Sequence, residues 1–413
     1  MSLLVIDTAA VQRRTVRVLV LAQAVGAVGI TVGVSTASLL ARDISGSESL
    51  AGLVPTAQVL GASVWSYVLA RLMARRGRRI GQVTGLLLGA AGALVAVVAG
   101  VVGSMALLMI GALALGATTA ANAAARYAAT DLATPSTRGR ALSTVVWATT
   151  VGAVLGPNLS GPAGSAADAL GLPVLTGPFL LGAPVMLVAA VLVLVLMRPD
   201  PLLTARALAD TDPEPPAGTS WGRAMAAFEA SPALTAAAVA QALAHAVMVA
   251  VMIMTPLHME HGGAQLEVIG FVISVHVLGM FAFAPVVGAS ADRFGRGPML
   301  GVGAAILLVS LVLCGSSPEG HSWQITTGLF LLGLGWSFAT LSASATIADL
   351  APLEVRTDVQ GTSDMAMGLT AAAAGAFSGV IVGAAGFDVL AGFAAVLACG
   401  VAVSAALVSR HAR

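Results

Sequence analysis

The chain has 413 residues, of which 58% are hydrophobic and only 9% are charged, and its formal net charge is +1. A soluble globular protein typically has about 25% charged residues, so this chain is too apolar to cover itself with a water-facing surface. A net charge so close to zero gives no support for nucleic acid as a partner. The composition therefore predicts a protein whose main partner is the lipid bilayer.

Apolar stretches recur along the whole sequence, and each is long enough to cross ~30 Å of hydrocarbon as a helix. Alternating barrel strands would not give unbroken apolar stretches of this length, so we predict an all-α membrane protein. It should contain twelve transmembrane helices, which cover residues 18–41, 50–70, 80–102, 104–128, 141–163, 173–197, 233–256, 266–287, 298–315, 323–345, 361–383 and 386–408.

All 20 basic side chains are arginines, and nearly all of them fall on one side of the predicted helices. Positive residues collect in cytoplasmic loops. The asymmetry therefore predicts a multi-pass protein of the cell (inner) membrane with both termini in the cytoplasm. The residues before Arg13 lack the features of a cleaved signal peptide, so the first helix is predicted to remain as a span.

The sequence contains a duplicated unit. Residues 71–79 and 289–297 are two copies of one basic turn, with Gly77 and Gly295 218 residues apart. One offset that holds from the first helix of each half to the fourth loop indicates two homologous halves. Further pairs at this offset are Gln23 and Gln241, Asp131 and Asp349, and Arg138 and Arg356.

The duplication predicts two pseudo-symmetric six-helix bundles, an N-terminal one over residues 1–198 and a C-terminal one over 232–413. Residues 199–231 are predicted to be a cytoplasmic linker. They are rich in proline and acidic residues, which is typical of a solvated segment. A short helix near 221–229 is expected along the membrane face. We expect the chain to act as a monomer.

The C-terminal copy of the basic turn reads Gly288-x-x-x-Asp292-Arg293-x-Gly295-Arg296. This pattern resembles the loop signature of the major facilitator superfamily, and the resemblance extends over the whole chain. It implies two six-helix halves around a central cavity and secondary active transport by alternating access. It also implies that these residues belong to a gating loop.

The N-terminal copy keeps Gly77 and Arg78 of the gating-loop signature but departs from it elsewhere. Ala70 stands where the signature has its first glycine, and Ala74 stands where it has the aspartate. The resemblance therefore implies the aspartate contacts that lock the inner gate only for the second half of this chain.

The fifth predicted helix contains Gly152, Gly156 and Pro157, which is similar to a helix 5 signature common among antiporters of the superfamily. Proline breaks the hydrogen-bond ladder of a helix, and the glycines permit a bend. The bend is predicted to be either the hinge of a gate or a packing kink.

Ionisable side chains are scarce near the predicted helix centres, where they are costly and therefore indicate function. His245 in the seventh helix and His276 in the eighth helix lie near mid-depth. Asp364, one turn inside the eleventh helix, is the only candidate for proton coupling, and a helix N-terminal cap is the alternative role. Arg126 is expected to form a structural or gating ion pair.

A stripe of soft ligand atoms runs along the seventh and eighth helices. His245, Met248 and Met252 share one helix face, and the spacing of His276 and Met280 stacks an imidazole above a thioether. The equivalent positions of the N-terminal half have no such atoms. Thioether sulfur and neutral imidazole together select a soft monovalent ion such as Cu(I).

The Met-x-x-x-Met and His-x-x-x-Met pairs also resemble those of the CcoA-like copper importers of the superfamily. The resemblance implies that copper is the transported substrate, and no cofactor is expected. It leaves flavins open as cargo, because relatives of these importers are reported to carry them. Side chains at the predicted extracellular mouth could pass an ion inward, namely Met254, His258, Met259 and His261.

Two alternatives remain beside copper import. The chain could be a proton-coupled transporter of a small organic molecule such as a drug, a flavin or a metabolite, which the helix 5 signature favours. Alternatively, the methionines could only fill gaps in the helix packing. An enzyme is not expected, because the sequence has no phosphate-binding loop, no nucleophile elbow and no zinc-protease motif.

Overall fold

The computed structural model describes residues 7–209 and 216–411. Regular secondary structure in this part of the chain is entirely helical, as the sequence predicts, with one short 3-10 helix at Val174–Thr176. The α-helices are α1 (Thr8–Ser45), α2 (Glu48–Ala51), α3 (Leu53–Val102), α4 (Met105–Ala128), α5 (Arg138–Trp147), α6 (Thr149–Ala169), α7 (Gly177–Leu196), α8 (Pro201–Leu208), α9 (Ser220–Ala230), α10 (Pro232–His261), α11 (Leu266–Phe281), α12 (Ala284–Phe294), α13 (Arg296–Gly315), α14 (Trp323–Leu350), α15 (Arg356–Ala385) and α16 (Phe387–His411).

Eleven helical stretches within the described residues are long and apolar enough to cross a membrane. One of them, α3, holds two crossings, because Gly77 interrupts its 50 residues with φ of 83° and ψ of 170°. Gly295 separates α12 from α13 with φ of 94° and ψ of 155°. Only glycine adopts such a conformation without strain. The two copies of the basic turn therefore share one backbone geometry, and the prediction of a twelve-helix membrane fold is confirmed.

The chain divides into two compact units that each exchange a segment with the other half of the sequence. The exchanged segments are residues 135–147, which belong to unit 2, and residues 352–365, which belong to unit 1. The division into domains 1–198 and 232–413, joined by a linker over 199–231, stays a prediction. Within the described residues, unit 1 comprises residues 7–134, 148–209, 216–223 and 352–365, and unit 2 comprises residues 135–147, 224–351 and 366–411.

In unit 1, α1 packs against α6 and α7, and α3 packs against α4 and α7. Small residues permit the close contact between α1 and α6. A Cβ atom at Gly152 would overlap Ala27, and a Cβ atom at Gly156 would overlap Thr31. The Thr31 hydroxyl donates a hydrogen bond to the carbonyl oxygen of Gly152 at 2.7 Å. Two of the predicted bend residues therefore serve helix packing.

In the fifth predicted crossing, α5 and α6 meet at Ala148, whose φ of −59° and ψ of −21° keep the right-handed helical conformation. This position is also the boundary between the exchanged segment of unit 2 and the rest of the crossing in unit 1. Pro157 lies farther along, inside α6. A hinge at Pro157 stays a prediction.

Part of the predicted solvated linker is a packed helix. Asp200 caps α8 by accepting hydrogen bonds from the backbone N–H groups of Leu202 and Leu203 at 3.0 and 3.2 Å, and Pro201 fills the first turn. Leu202 and Arg206 are buried. The helix expected near 221–229 is α9. The acidic linker residues Asp210, Asp212 and Glu214 lie outside the described residues.

In unit 2, α10 packs against α14 and α16, α13 packs against α14 and α16, and α11 packs against α14. Two glycines bring α11 and α14 close together. A Cβ atom at Gly279 would overlap the carbonyl oxygen of Phe330. A Cβ atom at Gly333 would overlap the carbonyl oxygen of His276 and would lie 2.9 Å from the amide nitrogen of Met280. This contact places the predicted eighth-helix ligands against α14.

Gly279→Ala should lower the free energy of unfolding by about 1–3 kcal/mol, because the added methyl group must push α11 away from the backbone of α14. Gly270→Ala on the same helix is the matched control. No atom lies within 4 Å of a Cβ built there, so it should be neutral or stabilising. Thermal unfolding of the purified variants in detergent measures both. Equal melting temperatures would contradict the close contact.

Candidate functional site

At its arginine-rich end, unit 1 holds the Asp131 carboxylate between two arginines. Arg78 donates from Nε and Nη2 to the two carboxylate oxygens at 2.8 and 3.2 Å, and Arg356 Nη1 lies 3.7 Å from Oδ1. Arg78 also donates to Gln360 Oε1 at 2.6 Å. The side chains of Arg78 and Asp131 are only 2% and 0% exposed. Arg356 and Gln360 come from the exchanged segment, so this buried network fixes that segment in unit 1.

Unit 2 repeats this triad at the positions related by the duplication. Asp349 accepts hydrogen bonds from Arg296 Nε at 3.1 Å and from Arg138 Nη1 at 2.8 Å. Arg138 comes from the exchanged segment of unit 2, as Arg356 does in unit 1. The Asp349 side chain is 25% exposed, so this copy of the triad is the more hydrated one.

The aspartate of the complete gating-loop signature completes the network of unit 2. Asp292 accepts hydrogen bonds from the backbone N–H groups of Gly139 and Arg140 at 2.8 and 2.9 Å, which caps the start of α5. It also pairs with Arg296 at 2.6 Å. Gly288 lies against α5, where a Cβ atom would overlap the Gly139 carbonyl group.

Arg293 is the one charged residue of the signature that takes no part in the ion pairs found in the described residues. It is exposed, and its guanidinium group lies over the ring of Phe294 at 5.2 Å. The gating role of the loop stays a prediction, but the geometry shows what its other residues hold together.

In unit 1, Ala74 has no carboxylate that could bind the exchanged segment as Asp292 does in unit 2, and helix α8 of the linker makes this connection instead. Arg206 donates to the carbonyl oxygens of Ala74 at 2.6 Å and of Glu354 at 3.4 Å, and it is 1% exposed. Asp200 accepts a hydrogen bond from the Arg79 amide at 2.8 Å. Helix α8 thus joins the basic turn to the exchanged segment, as Asp292 does in unit 2. The Asp-Pro helix start and the arginine in the last turn were the sequence signals for this packed helix.

Asp364 forms a buried ion pair with Arg126. The Nη2 and Oδ1 atoms are 2.5 Å apart, and the two side chains are 4% and 6% exposed. Arg126 also lies over the ring of Tyr127 at 4.4 Å. The alternative role of Asp364 as a helix cap is wrong, because α15 begins at Arg356. A cavity of about 10 Å³ beside the pair has room for about one water molecule.

His276 is completely buried and presents one lone pair without a partner. Its Nδ1 atom lies 2.8 Å from the carbonyl oxygen of Leu329. Because a carbonyl group only accepts, Nδ1 carries the proton, and the neutral ring has its lone pair on Nε2. Among the described residues no hydrogen-bond partner reaches Nε2. Met280, one turn along the same face of α11, is 9% exposed.

His245 has a different arrangement, because Trp336 donates a hydrogen bond from its indole Nε1 to His245 Nδ1 at 2.9 Å. A neutral imidazole that accepts at Nδ1 carries its proton on Nε2. Neither nitrogen then has a lone pair for a metal ion. Phe281 packs edge-on against Trp336, with ring centroids 5.8 Å apart. His245 is therefore part of an aromatic cluster with α11 and α14.

The methionines of the predicted copper site do not form an exposed stripe. Met248 is 4% exposed, and Met252 and Met254 are half-buried. Within residues 7–209 and 216–411, no group of three or more His, Cys, Asp or Glu side chains is placed to hold a metal ion. The Met/His site between the seventh and eighth crossings stays a prediction.

Of the predicted mouth residues, His258 contacts the loop between α13 and α14. His258 Nε2 lies 3.0 Å from the Ser317 hydroxyl, and its ring stacks on Phe387 with centroids 4.3 Å apart. Met259 is buried, and His261 is exposed at the end of α10. These contacts position the loop, and the transfer of an ion from here to Met254 stays a prediction.

Helices α11 and α14, which pack together, carry three buried polar side chains, namely His276, Ser337 and Thr340, and we call this set the α11–α14 polar face. Ser337 and Thr340 are one turn apart on the same side of α14. Their hydroxyl groups, like His276 Nε2, are buried and reach no hydrogen-bond partner in the described part of the chain. Buried polar groups are almost always satisfied, so these three call for water or a ligand.

Asp131→Asn should destabilise the protein much more than Asp349→Asn. The first change leaves Arg78 and Arg356 buried without a counter-charge, which costs about 3–5 kcal/mol. The second removes the same group from a partly hydrated triad, which costs about 1 kcal/mol. Thermal unfolding in detergent compares the two. An equal loss of stability would mean that the two triads are not buried to different degrees.

Comparison with known proteins agrees with the duplicated helical fold. The model of the Major Facilitator Superfamily matches residues 19–264 and 237–413. The MFS-type transporter YddS of Bacillus subtilis is 35% identical over 93% of this chain and 88% of its own length. The riboflavin transporter RfnT of Brucella anthropi is 28% identical over 92% of this chain and 91% of its own length.

Among solved structures, the human organic anion transporter MFSD10 superimposes with a TM-score of 0.71 over 96% of this chain and 99% of its own, at 16% identity. At that identity the likeness concerns the fold alone. The resemblance to copper importers is not supported by these relatives. The family model and the relatives identify a transporter rather than an enzyme. The chain belongs to the Major Facilitator Superfamily.

Proposed function

We propose that this transporter carries a small, polar aromatic molecule of the riboflavin class by alternating access. The similarity to the riboflavin transporter RfnT extends over nearly the full length of both chains, which favours a related cargo. This cargo is one of the organic alternatives that the sequence leaves open. The orientation with both termini in the cytoplasm of the cell membrane is part of the same proposal.

The observation that carries the proposal is the α11–α14 polar face. His276 Nε2 offers an acceptor, and the Ser337 and Thr340 hydroxyl groups offer both donors and acceptors. An isoalloxazine ring and a ribityl chain present complementary carbonyl, N–H and hydroxyl groups. Trp336 and Phe281 beside this face supply aromatic surface for a planar ring.

Copper is the second candidate, and one observation favours it. His276 donates Nδ1–H to a backbone carbonyl and keeps its Nε2 lone pair, as metal-ligating histidines usually do, with Met280 one turn away. Against copper, His245 has no lone pair for a metal while Trp336 bonds to it. The soft-ligand set is therefore smaller than the sequence suggests.

The two arginine–aspartate triads are proposed to close the cytoplasmic end of the transport path. Each triad fixes an exchanged segment, so opening that end requires the release of Arg356 and Arg138 from their aspartates. We propose that Asp364 couples this step to protons, because its carboxylate can exchange Arg126 for a proton when the segment moves.

Uptake of radiolabelled riboflavin into cells or proteoliposomes tests the cargo. His276→Ala and Thr340→Val should each reduce uptake about tenfold, since each removes a hydrogen bond to the cargo from a buried site. Trp336→Phe should weaken uptake as well. The matched control is Trp323→Phe, because Trp323 lies at the exposed start of α14.

Cellular copper content in the same strains, together with Met280→Ala, separates the two candidates. If riboflavin uptake is absent in the wild type and copper accumulation falls in His276→Ala and Met280→Ala, copper takes the place of the organic cargo. Met109→Leu, on α4 of unit 1, is the methionine control. All variants must reach the membrane at wild-type levels for the comparison.

Asp364→Asn should abolish proton-driven accumulation of the cargo but preserve exchange of labelled for unlabelled cargo across the membrane. The amide cannot exchange an arginine for a proton, whereas exchange needs no net proton movement. Asp388→Asn, at an exposed position in the first turn of α16, is the control. Normal accumulation by Asp364→Asn at an imposed proton gradient would rule out this carboxylate as the coupling group.

A further inference from the structure

A cavity of about 380 Å³ opens in unit 1 between the end of the first crossing of α3 and the start of α9. Its lining includes three arginines, Arg71, Arg75 and Arg223, and two aromatic residues, Tyr67 and Trp221. The described residues that line it include no carboxylate. None of its lining residues belongs to the triads or to the α11–α14 polar face.

Two of the three arginines in this cavity are not neutralised by the part of the chain that the structure describes. Arg223 pairs with Asp358 at 2.7 Å. Arg71 and Arg75, one turn apart on α3, are exposed and form no ion pair or hydrogen bond there, and the Arg71 guanidinium lies 6.0 Å from the ring centroid of Tyr67. The cavity therefore presents two adjacent guanidinium groups to a ligand.

The start of α9 adds a third source of positive potential. The Thr219 side chain accepts a hydrogen bond from the Gly222 amide at 3.0 Å, which caps this helix of 11 residues. The first N–H groups of a helix and its dipole favour an anion at that end. Planar guanidinium groups also match the oxygen geometry of a phosphate.

The aromatic residues favour a position of this cavity at the level of lipid headgroups. Arg71 directly follows an apolar crossing, and Arg75 lies one turn later. Tyr67 lies in the last turn of this crossing. Trp221 is 48% exposed at the start of α9. Tyrosine and tryptophan collect at membrane–water interfaces, and basic clusters there bind anionic headgroups.

We propose that this cavity binds the phosphate headgroup of an anionic phospholipid. Arg71 and Arg75 contact the phosphate oxygens, and Trp221 packs beside the glycerol backbone. A free phosphate ion would use the guanidinium groups but would leave the two aromatic side chains without a role. Because Arg223 and Ser220 of α9 hold Asp358 from the exchanged segment, a lipid at this site also holds α9 where it supports that segment.

The test is lipid binding to the full-length protein in detergent, followed by native mass spectrometry, with phosphatidylglycerol and phosphatidylcholine as probes. The wild type should prefer phosphatidylglycerol, and Arg71→Gln/Arg75→Gln should bind it about 10- to 30-fold more weakly. The matched control, Arg13→Gln/Arg76→Gln, loses the same charge from exposed arginines that do not line the cavity. It should keep the preference. An equal loss in both variants would overturn the proposal.

A second readout locates the lipid without depending on the arginine variants. Brominated phosphatidylglycerol should quench tryptophan fluorescence more than brominated phosphatidylcholine, and the difference should disappear in Trp221→Phe. If Trp221→Phe keeps the full difference, the lipid binds elsewhere and the proposal fails.

Two further arms identify the occupant. Inorganic phosphate should displace the lipid only at far higher concentration, and displacement at equal concentration would reject the lipid in favour of a free anion. The Asp210→Asn/Asp212→Asn/Glu214→Gln variant should bind phosphatidylglycerol like the wild type. More than tenfold tighter binding by this variant would instead assign the cavity to the linker's own carboxylates.

Discussion

The buried ion pair between Arg78 and Asp131 is the interaction on which the architecture of unit 1 depends. Two charges removed from water are stable only when their geometry is good and their remaining hydrogen-bonding atoms are satisfied. Here the bidentate contact, Gln360 and Arg356 meet that requirement together. Two of these partners come from the exchanged segment, so the electrostatic requirement of one aspartate decides where a distant stretch of chain must lie.

Duplication explains why the same solution occurs twice. Arg296, Asp349 and Arg138 occupy the positions that correspond to Arg78, Asp131 and Arg356, and both basic turns contain a glycine with positive φ. Each triad therefore contains one arginine from the other half of the sequence. A duplicated loop with matching charges thus produces the same kind of ion-pair network in both units.

The two copies differ where Ala74 replaces the aspartate of the signature. The basic turn of unit 2 is joined to its exchanged helix by Asp292, whereas unit 1 uses Arg206 and Asp200 from α8. Helix α8, which lies in the segment that joins the two halves of the sequence, is therefore a packed part of the fold. Its buried arginine is paired with backbone carbonyl oxygens, which have fixed positions whatever the side chains around them.

The two histidines show that residue type alone does not determine which ring nitrogen donates and which accepts a hydrogen bond. His245 and His276 lie on neighbouring crossings, and both are plausible soft-ion ligands by sequence. Their partners differ, since one accepts from an indole N–H and the other donates to a carbonyl oxygen. Of the two, His276 keeps a lone pair on Nε2 that no hydrogen bond in the described residues uses. The hydrogen-bond partners of the ring nitrogens, rather than the residue type, distinguish the two histidines.

The sequence by itself determined the helical membrane fold, the twelve crossings and the duplication, because hydropathy and a fixed offset are properties of the chain in one dimension. It also placed Asp131 and Asp349 at corresponding positions of the two halves. Only the tertiary structure decided that Asp364 pairs with Arg126, 238 residues away, and that Arg206 is buried against the basic turn. Such contacts join residues far apart in the chain. Their formation depends on how helices pack and on which buried charges would otherwise lack a partner.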